Sequence, residues 1–167
     1  DSFVDQLGSN KIDVGYWYYN GQDRVPPISF IESQISYTIK ETAGLCLINL
    51  IDFRDFNFIQ TNETKVEPIT NIIEKNVLVK FHYPLKVQNK GVTYVVKDKE
   101  VTVPLDVNGL YTAAKGMVGK IKEKPDFIPL SYFATLNYNI SVYPYGDDVA
   151  YGLTDGKTTL LFANKFV

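Results

Sequence analysis

Between Pro26-Pro27 and Leu50 the chain places apolar residues at Ile28, Ile31, Ile35, Ile39, Ala43, Cys46, Leu47 and Leu50. Steps of three and four put them on one stripe of an α-helix, and the paired prolines stop whatever precedes it. Ser29 and Glu32 stand in the S-x-x-E relation of a capping box, where each side chain accepts the other residue's backbone N–H. A helix of this length carries an apolar side that another layer must cover. Most of the remaining chain reads as short strands. The pattern therefore predicts an α+β fold, with a long N-terminal helix and a second helix packed on an antiparallel β-sheet.

The other elements follow from period and punctuation. Phe3, Val4 and Leu7 suggest one short helical turn, and Ile12–Tyr19 an aromatic strand ended by the Asn20-Gly21 turn signal. Strands are expected around Phe56 and Phe58, over Val66–Ile73, and over Val77–Tyr83. Leu85 to Val96 reads as a hairpin turning at Asn89-Lys90-Gly91, followed by a strand over Glu100–Leu105. Leu110, Ala114, Met117, Val118 and Ile121 mark a second helix over Asn108–Ile121, capped by Asp106 or Asn108 and weakened by Gly116 and Gly119. Leu136 to Tyr143 alternates strictly, and Val149–Leu153 and Thr158–Ala163 form a last hairpin through Asp155-Gly156. Residues 1–25 read as an extension whose aromatic strand packs on a single domain over 26–167.

A chain of 167 residues, 45% apolar and 22% charged, is an ordinary globular composition and excludes disorder. The net charge of −2 without a basic block gives no footprint for nucleic acid or an anionic membrane. Twelve Tyr and ten Phe against one His suit sheet faces and exposed surfaces better than acid–base catalysis. The single Cys46 excludes an intrachain disulfide and a cysteine-based zinc site, and its place on the helix stripe reads as a buried small hydrophobe. No stretch reaches the apolar length of a membrane span. The opening on Asp1, without Met, reads as a processed chain or a fragment.

Motifs that could carry chemistry resolve into structural readings. The letters GKT in Thr154-Asp155-Gly156-Lys157-Thr158 lack the earlier glycine of a phosphate loop and read as a hairpin turn. Asp147, Asp148 and Asp155 are oxygen donors without the spacing of a calcium loop. Asp52 and Asp55 flank Arg54 and face opposite ways on a strand, unlike a convergent glycosidase pair. His82, the one imidazole, lies between Lys80 and Pro84 on an outward strand face. Asn62-Glu63-Thr64 and Asn139-Ile140-Ser141 are acceptor triplets for glycosylation. No catalytic residue, metal site or cofactor is assigned.

The run Ile28-Ser29-Phe30-Ile31-Glu32-Ser33-Gln34-Ile35 through Leu45-Cys46-Leu47, then Asn57-Phe58-Ile59 and Asn76-Val77-Leu78-Val79-Lys80-Phe81-His82-Tyr83-Pro84-Leu85, resembles a recurring ectodomain of archaeal secreted or membrane-anchored envelope proteins. Some of these are pilin-like at the N-terminus. Val101-Thr102-Val103-Pro104-Leu105, Leu110-Tyr111-Thr112-Ala113-Ala114 and Leu161-Phe162-Ala163-Asn164-Lys165 continue the order, so the resemblance spans most of Pro26 to Val167. It implies an anchoring segment outside this chain, an extracellular or cell-surface location and a non-catalytic structural, adhesive or filament-associated role. The implied partners are other envelope or filament proteins, or further copies of the chain. A second Cys after Cys46 is missing.

On this reading Tyr16, Trp17, Tyr18, Tyr19, Tyr143 and Tyr145 are the candidate interface residues, since tyrosine and tryptophan are enriched where proteins meet. The alternatives are an extracytoplasmic sensor binding a small molecule through Lys80, Tyr94, Asn137 and Tyr138, and a hydrolase built on His82 or a pair of acids.

Overall fold

The computed structural model describes the backbone of residues 2–7, 10–49, 57–59, 67–82, 85–89, 91–96, 98–125 and 127–166. Side chains are described for residues 13–43, 67–82, 91–95, 98–125 and 127–166. In chain order, β1 (Ser2–Leu7), β2 (Asn10–Tyr19) and β3 (Gln22–Asp23) precede helix α1 (Ile28–Asn49). Six strands follow: β4 (Asn57–Ile59), β5 (Glu67–Ile73), β6 (Asn76–His82), β7 (Leu85–Asn89), β8 (Val92–Val96) and β9 (Lys99–Val103). Helix α2 (Val107–Glu123), the short α3 (Leu130–Phe133), and strands β10 (Asn139–Tyr145), β11 (Asp148–Thr154) and β12 (Thr159–Lys165) complete the chain.

These elements form a mixed α+β protein of two compact units, one of Asp1–Ile28 with Leu105–Val167 and one of Ser29–Pro104. The division differs from an extension added to a single domain over 26–167. The N-terminal strands are members of the sheet that the C-terminal third completes, and the middle of the chain is a unit of its own. The two long helices accordingly belong to different units and do not share a sheet.

In the first unit the order is β1-β2-β12-β11-β10, with β3 also paired to β2. Every pair is antiparallel except β12 with β2, which run parallel. Residues expected to make a helical turn near Phe3 are instead paired residue by residue with β2. A ladder satisfies backbone groups that a lone helical turn leaves open, so the sheet wins. Asn20 and Gly21 both have positive φ, as a two-residue hairpin turn requires. Helix α2 covers one face of the sheet with Val107, Leu110, Ala113, Ala114, Met117, Val118 and Ile121 buried. Its N-cap is Asp106, whose Oδ1 accepts from the Gly109 N–H while Oδ2 accepts from the Tyr138 hydroxyl at 3.0 Å. A Cβ at Gly109 would collide with both partners, so the cap requires glycine there. Tyr138, expected in a strand, is held by this cap, and β10 starts one residue later.

Helix α1, which from Ser29 on belongs to the second unit, keeps the expected stripe: Ile28, Ile31, Ile35, Ile39 and Ala43 are half-buried, and Phe30 and Tyr37 on the other side are exposed. The side chains of Cys46, Leu47 and Leu50 lie outside the described residues. The capping box does not form. Glu32 Oε1 accepts the Ile72 N–H at 2.8 Å, and Ser36 Oγ one turn later accepts the Thr70 N–H at 3.0 Å. Strand β5 is the edge of the β5-β6-β9 sheet. Its outward amides at 70 and 72 thus end on the helix, and Pro68, next in the same row, has none. A part-buried amide has more to lose without a partner than a helix terminus open to water, which explains where Glu32 goes. Glu32→Ala is expected to cost about 1–3 kcal/mol, and Glu32→Gln, which keeps a carbonyl acceptor, under half of that. Urea unfolding of both variants checks this; equal losses would refute it.

Candidate functional site: the tyrosine face of the six-stranded sheet

The first unit's sheet has two differently built faces, and a break in register decides which aromatic goes where. Along the parallel pair, Ala163 lies opposite Tyr16 but Asn164 lies opposite Tyr18, so Trp17 is an extra residue on β2. Such a bulge turns two successive side chains to one side. Trp17 and Tyr18 are both buried, at 6% and 5% exposure, while Tyr16 and Tyr19 are half-buried with ring centroids 5.2 Å apart. Trp17 stacks on Phe162 at 4.9 Å and meets the edge of Tyr111 at 5.8 Å. Tyr151 stacks on the other side of Phe162 at 5.1 Å and contacts Phe133 edge-on. Trp17, against Tyr111 of α2, and Tyr18 are therefore both core residues with almost no surface, which removes them from the interface set.

The opposite face carries the site. Directly paired residues share a face, and register aligns two rows across four strands. One is Tyr143, Ala150, Ala163 and Tyr16, and the next is Tyr145, Asp148, Lys165 and Tyr19. Tyrosines stand at both ends of each row, three strand spacings or roughly 14 Å apart. Between them Ala150 and Ala163 are small and buried, and with Val14 they form a patch on which Tyr16 packs. Tyr143 is 46% and Tyr145 73% exposed.

Charge gathers at the second row. The Arg24 guanidinium lies 4.5 Å from the Tyr19 ring centroid and the Lys165 ammonium 6.0 Å from it, both cation–π contacts. Lys165 Nζ is also 3.8 Å from Asp148 Oδ1. Burial, and then the hydrogen bond it gives to Asp148, pushes the Tyr16 phenol up to about 12. Tyr16 thus stays a neutral donor through the physiological range. The face presents flat aromatic rings, phenol hydroxyls and two cations beside one carboxylate. Such groups stack and hydrogen-bond. Asp148 and Lys165 escape a sequence reading as site residues because only strand pairing aligns them with the tyrosines, and Arg24 because it reaches Tyr19 only once β3 has turned back on β2.

Other candidate residues have local roles. Lys80 pairs with Glu100 at 3.3 Å and Tyr94 is exposed on β8, both in the second unit. Tyr138 belongs to the α2 cap of the first unit and the neighbouring Asn137 is exposed, so no one unit brings the four sensor residues together. His82 Nδ1 is 2.6 Å from Asp98 Oδ1, with both side chains largely exposed. Asp155 Oδ1 accepts the N–H groups of Lys157 and Thr158, and these bonds hold its carboxyl below the usual range. Gly156 has positive φ, so the GKT letters form the hairpin turn between β11 and β12. Asn139 opens β10 and is exposed; Asn62, Asp52, Arg54 and Asp55 lie outside the described residues. Among the described residues no group of three or more acids, His or Cys is placed to hold a metal ion, and no helix is long and apolar enough to cross a membrane.

No protein-family model, curated protein or solved structure matches this chain.

Proposed function

We propose that this chain is a non-catalytic recognition and assembly domain of an archaeal cell surface, displayed outside the cell by a segment beyond this chain. It engages other envelope or filament components through the outer face of its six-stranded sheet. The observation that carries this reading is the two-row alignment of Tyr16, Tyr19, Tyr143 and Tyr145 with Arg24, Lys165 and Asp148. Rigid tyrosines bring large contact area at low entropic cost, and neighbouring cations add orientation. Exposed Asn139 lies at the far end of the same face and is open to a glycan.

Two measurements test it. Immunogold microscopy of source cells is expected to label filaments or the outer envelope; label confined to permeabilised cytoplasm would overturn the location. Purified chain is expected to bind isolated envelopes, with the Tyr143→Ala/Tyr145→Ala variant bound at least tenfold more weakly, as for paired aromatic anchors worth about 1.4 kcal/mol or more. Equal binding by both forms would overturn the role of the face.

A further inference from the structure

The chain's edge strands are not treated alike. On β5 the outward amides at 70 and 72 are taken by Ser36 and Glu32, and Pro68 has none. Strand β9 carries the exposed charges Lys99 and Glu100, and β10 carries Pro144. Lysine, proline and a covering helix are the usual ways to stop strands joining edge to edge. Among the described residues strand β8 has none of them. It is the edge of the β4-β7-β8 sheet and reads Val92-Thr93-Tyr94-Val95-Val96, without charge, proline or glycine. Both of its faces are open: Val92 and Tyr94 are 51% and 58% exposed on one, and Val95 is 53% exposed on the other.

We propose that β8 is a homodimerisation edge, taken by β8 of a second copy around a two-fold axis at Tyr94. Asn89 and Val92 flank a two-residue hairpin loop, so 92, 94 and 96 bond inward to β7, and 93 and 95 present N–H and C=O outward. Antiparallel pairing about Tyr94 sets 92 against the partner's 96, 93 against its 95, and 94 against itself. This is the register that pairs all five residues. Thr93 and Val95 then exchange four ladder hydrogen bonds with their counterparts, and Tyr94 meets Tyr94 at a close, non-hydrogen-bonded position. The occupant is a second copy because the strand offers nothing to a charged partner and is complementary to itself, with no like charges opposed. A two-fold contact is isologous and uses up the edge, so it closes as a dimer instead of growing into a fibre. The two three-stranded sheets become one of six. The inference is independent of the tyrosine face, and either can fail alone.

Sedimentation velocity and light scattering on the full chain test it. A concentration-dependent dimer is expected, with Tyr94→Lys raising its dissociation constant more than tenfold because two ammonium groups then stand opposite one another. Under mild oxidation Tyr94→Cys is expected to give a covalent dimer well above the wild-type level, where Cys46 is the lone thiol, and Thr93→Cys is not, since its counterpart is diagonal. The cross-linking arm decides the matter if Tyr94→Lys fails to fold. A chain that stays monomeric up to its solubility limit overturns the proposal. So does a dimer indifferent to Tyr94→Lys that Tyr94→Cys does not lock.

Discussion

Trp17→Ala is expected to cost about 3–5 kcal/mol, a large part of the 5–15 kcal/mol that holds a typical domain together. Trp17 is nearly enclosed between Phe162 and Tyr111, so truncation leaves a cavity that a rigid sheet and α2 cannot fill by collapse. Tyr143→Ala, on the outer face with nearly half its surface exposed, is expected to cost under about 1 kcal/mol. Urea denaturation of the two variants checks the contrast. Similar losses would refute the burial of Trp17 by the bulge on β2.

Stability is also expected to fall as pH rises from about 10 to about 12, and Tyr151→Phe to remove about half of that fall. Tyr151 is fully buried, and burial drives its phenol from the ordinary 10 up to about 12. Its neighbour Asn164 opposes the shift, yet neither the Tyr151 hydroxyl nor the Asn164 amide makes a hydrogen bond of ordinary geometry. Below pH 10 both folded and unfolded states keep the proton, and the contribution is complete. Between 10 and 12 the unfolded chain releases it first, which favours unfolding, and above 12 the contribution is gone. A rise from 10 to about 12 corresponds to roughly 2–3 kcal/mol. Tyr16, also raised to about 12, adds a second contribution of the same sign that Tyr151→Phe leaves in place. At neutral pH Tyr151→Phe is expected to be neutral or slightly stabilising, since it deletes a hydroxyl without a partner. Thermal melts of both proteins from pH 8 to 12 decide it; parallel curves would refute the assignment.

Local signals in the sequence located most elements, and the reasons are physical. The stripe from Ile28 to Ala43, the Asn20-Gly21 and Asp155-Gly156 turns and the Asp106 cap each depend on residues within one or two turns of chain. Errors came wherever a distant partner decided. Glu32 leaves the capping box because an edge strand forty residues later presents an amide. Phe3 to Leu7 pair with β2 instead of coiling, and Tyr138 bonds to Asp106 instead of joining a ladder. The aromatic run Tyr16 to Tyr19 was legible as a strand. Its division into core and surface was not, because one unpaired residue against β12 turns the alternation over. The outer face was half visible, as tyrosines without Arg24, Asp148 and Lys165, for the same reason.

The parallel pairing of β2 with β12 joins strands from opposite ends of the chain, with a whole compact unit inserted between them. Closing so long a loop adds little to the equilibrium cost, which grows only logarithmically with length. The burden falls on time. The middle unit is made of contiguous sequence and can form from contacts within itself, whereas the tyrosine face does not exist until the last strand finds the second. Until then β2 waits with Trp17 and its neighbours uncovered, so the interval between synthesis of β2 and arrival of β12 is when this protein is most exposed to wrong associations.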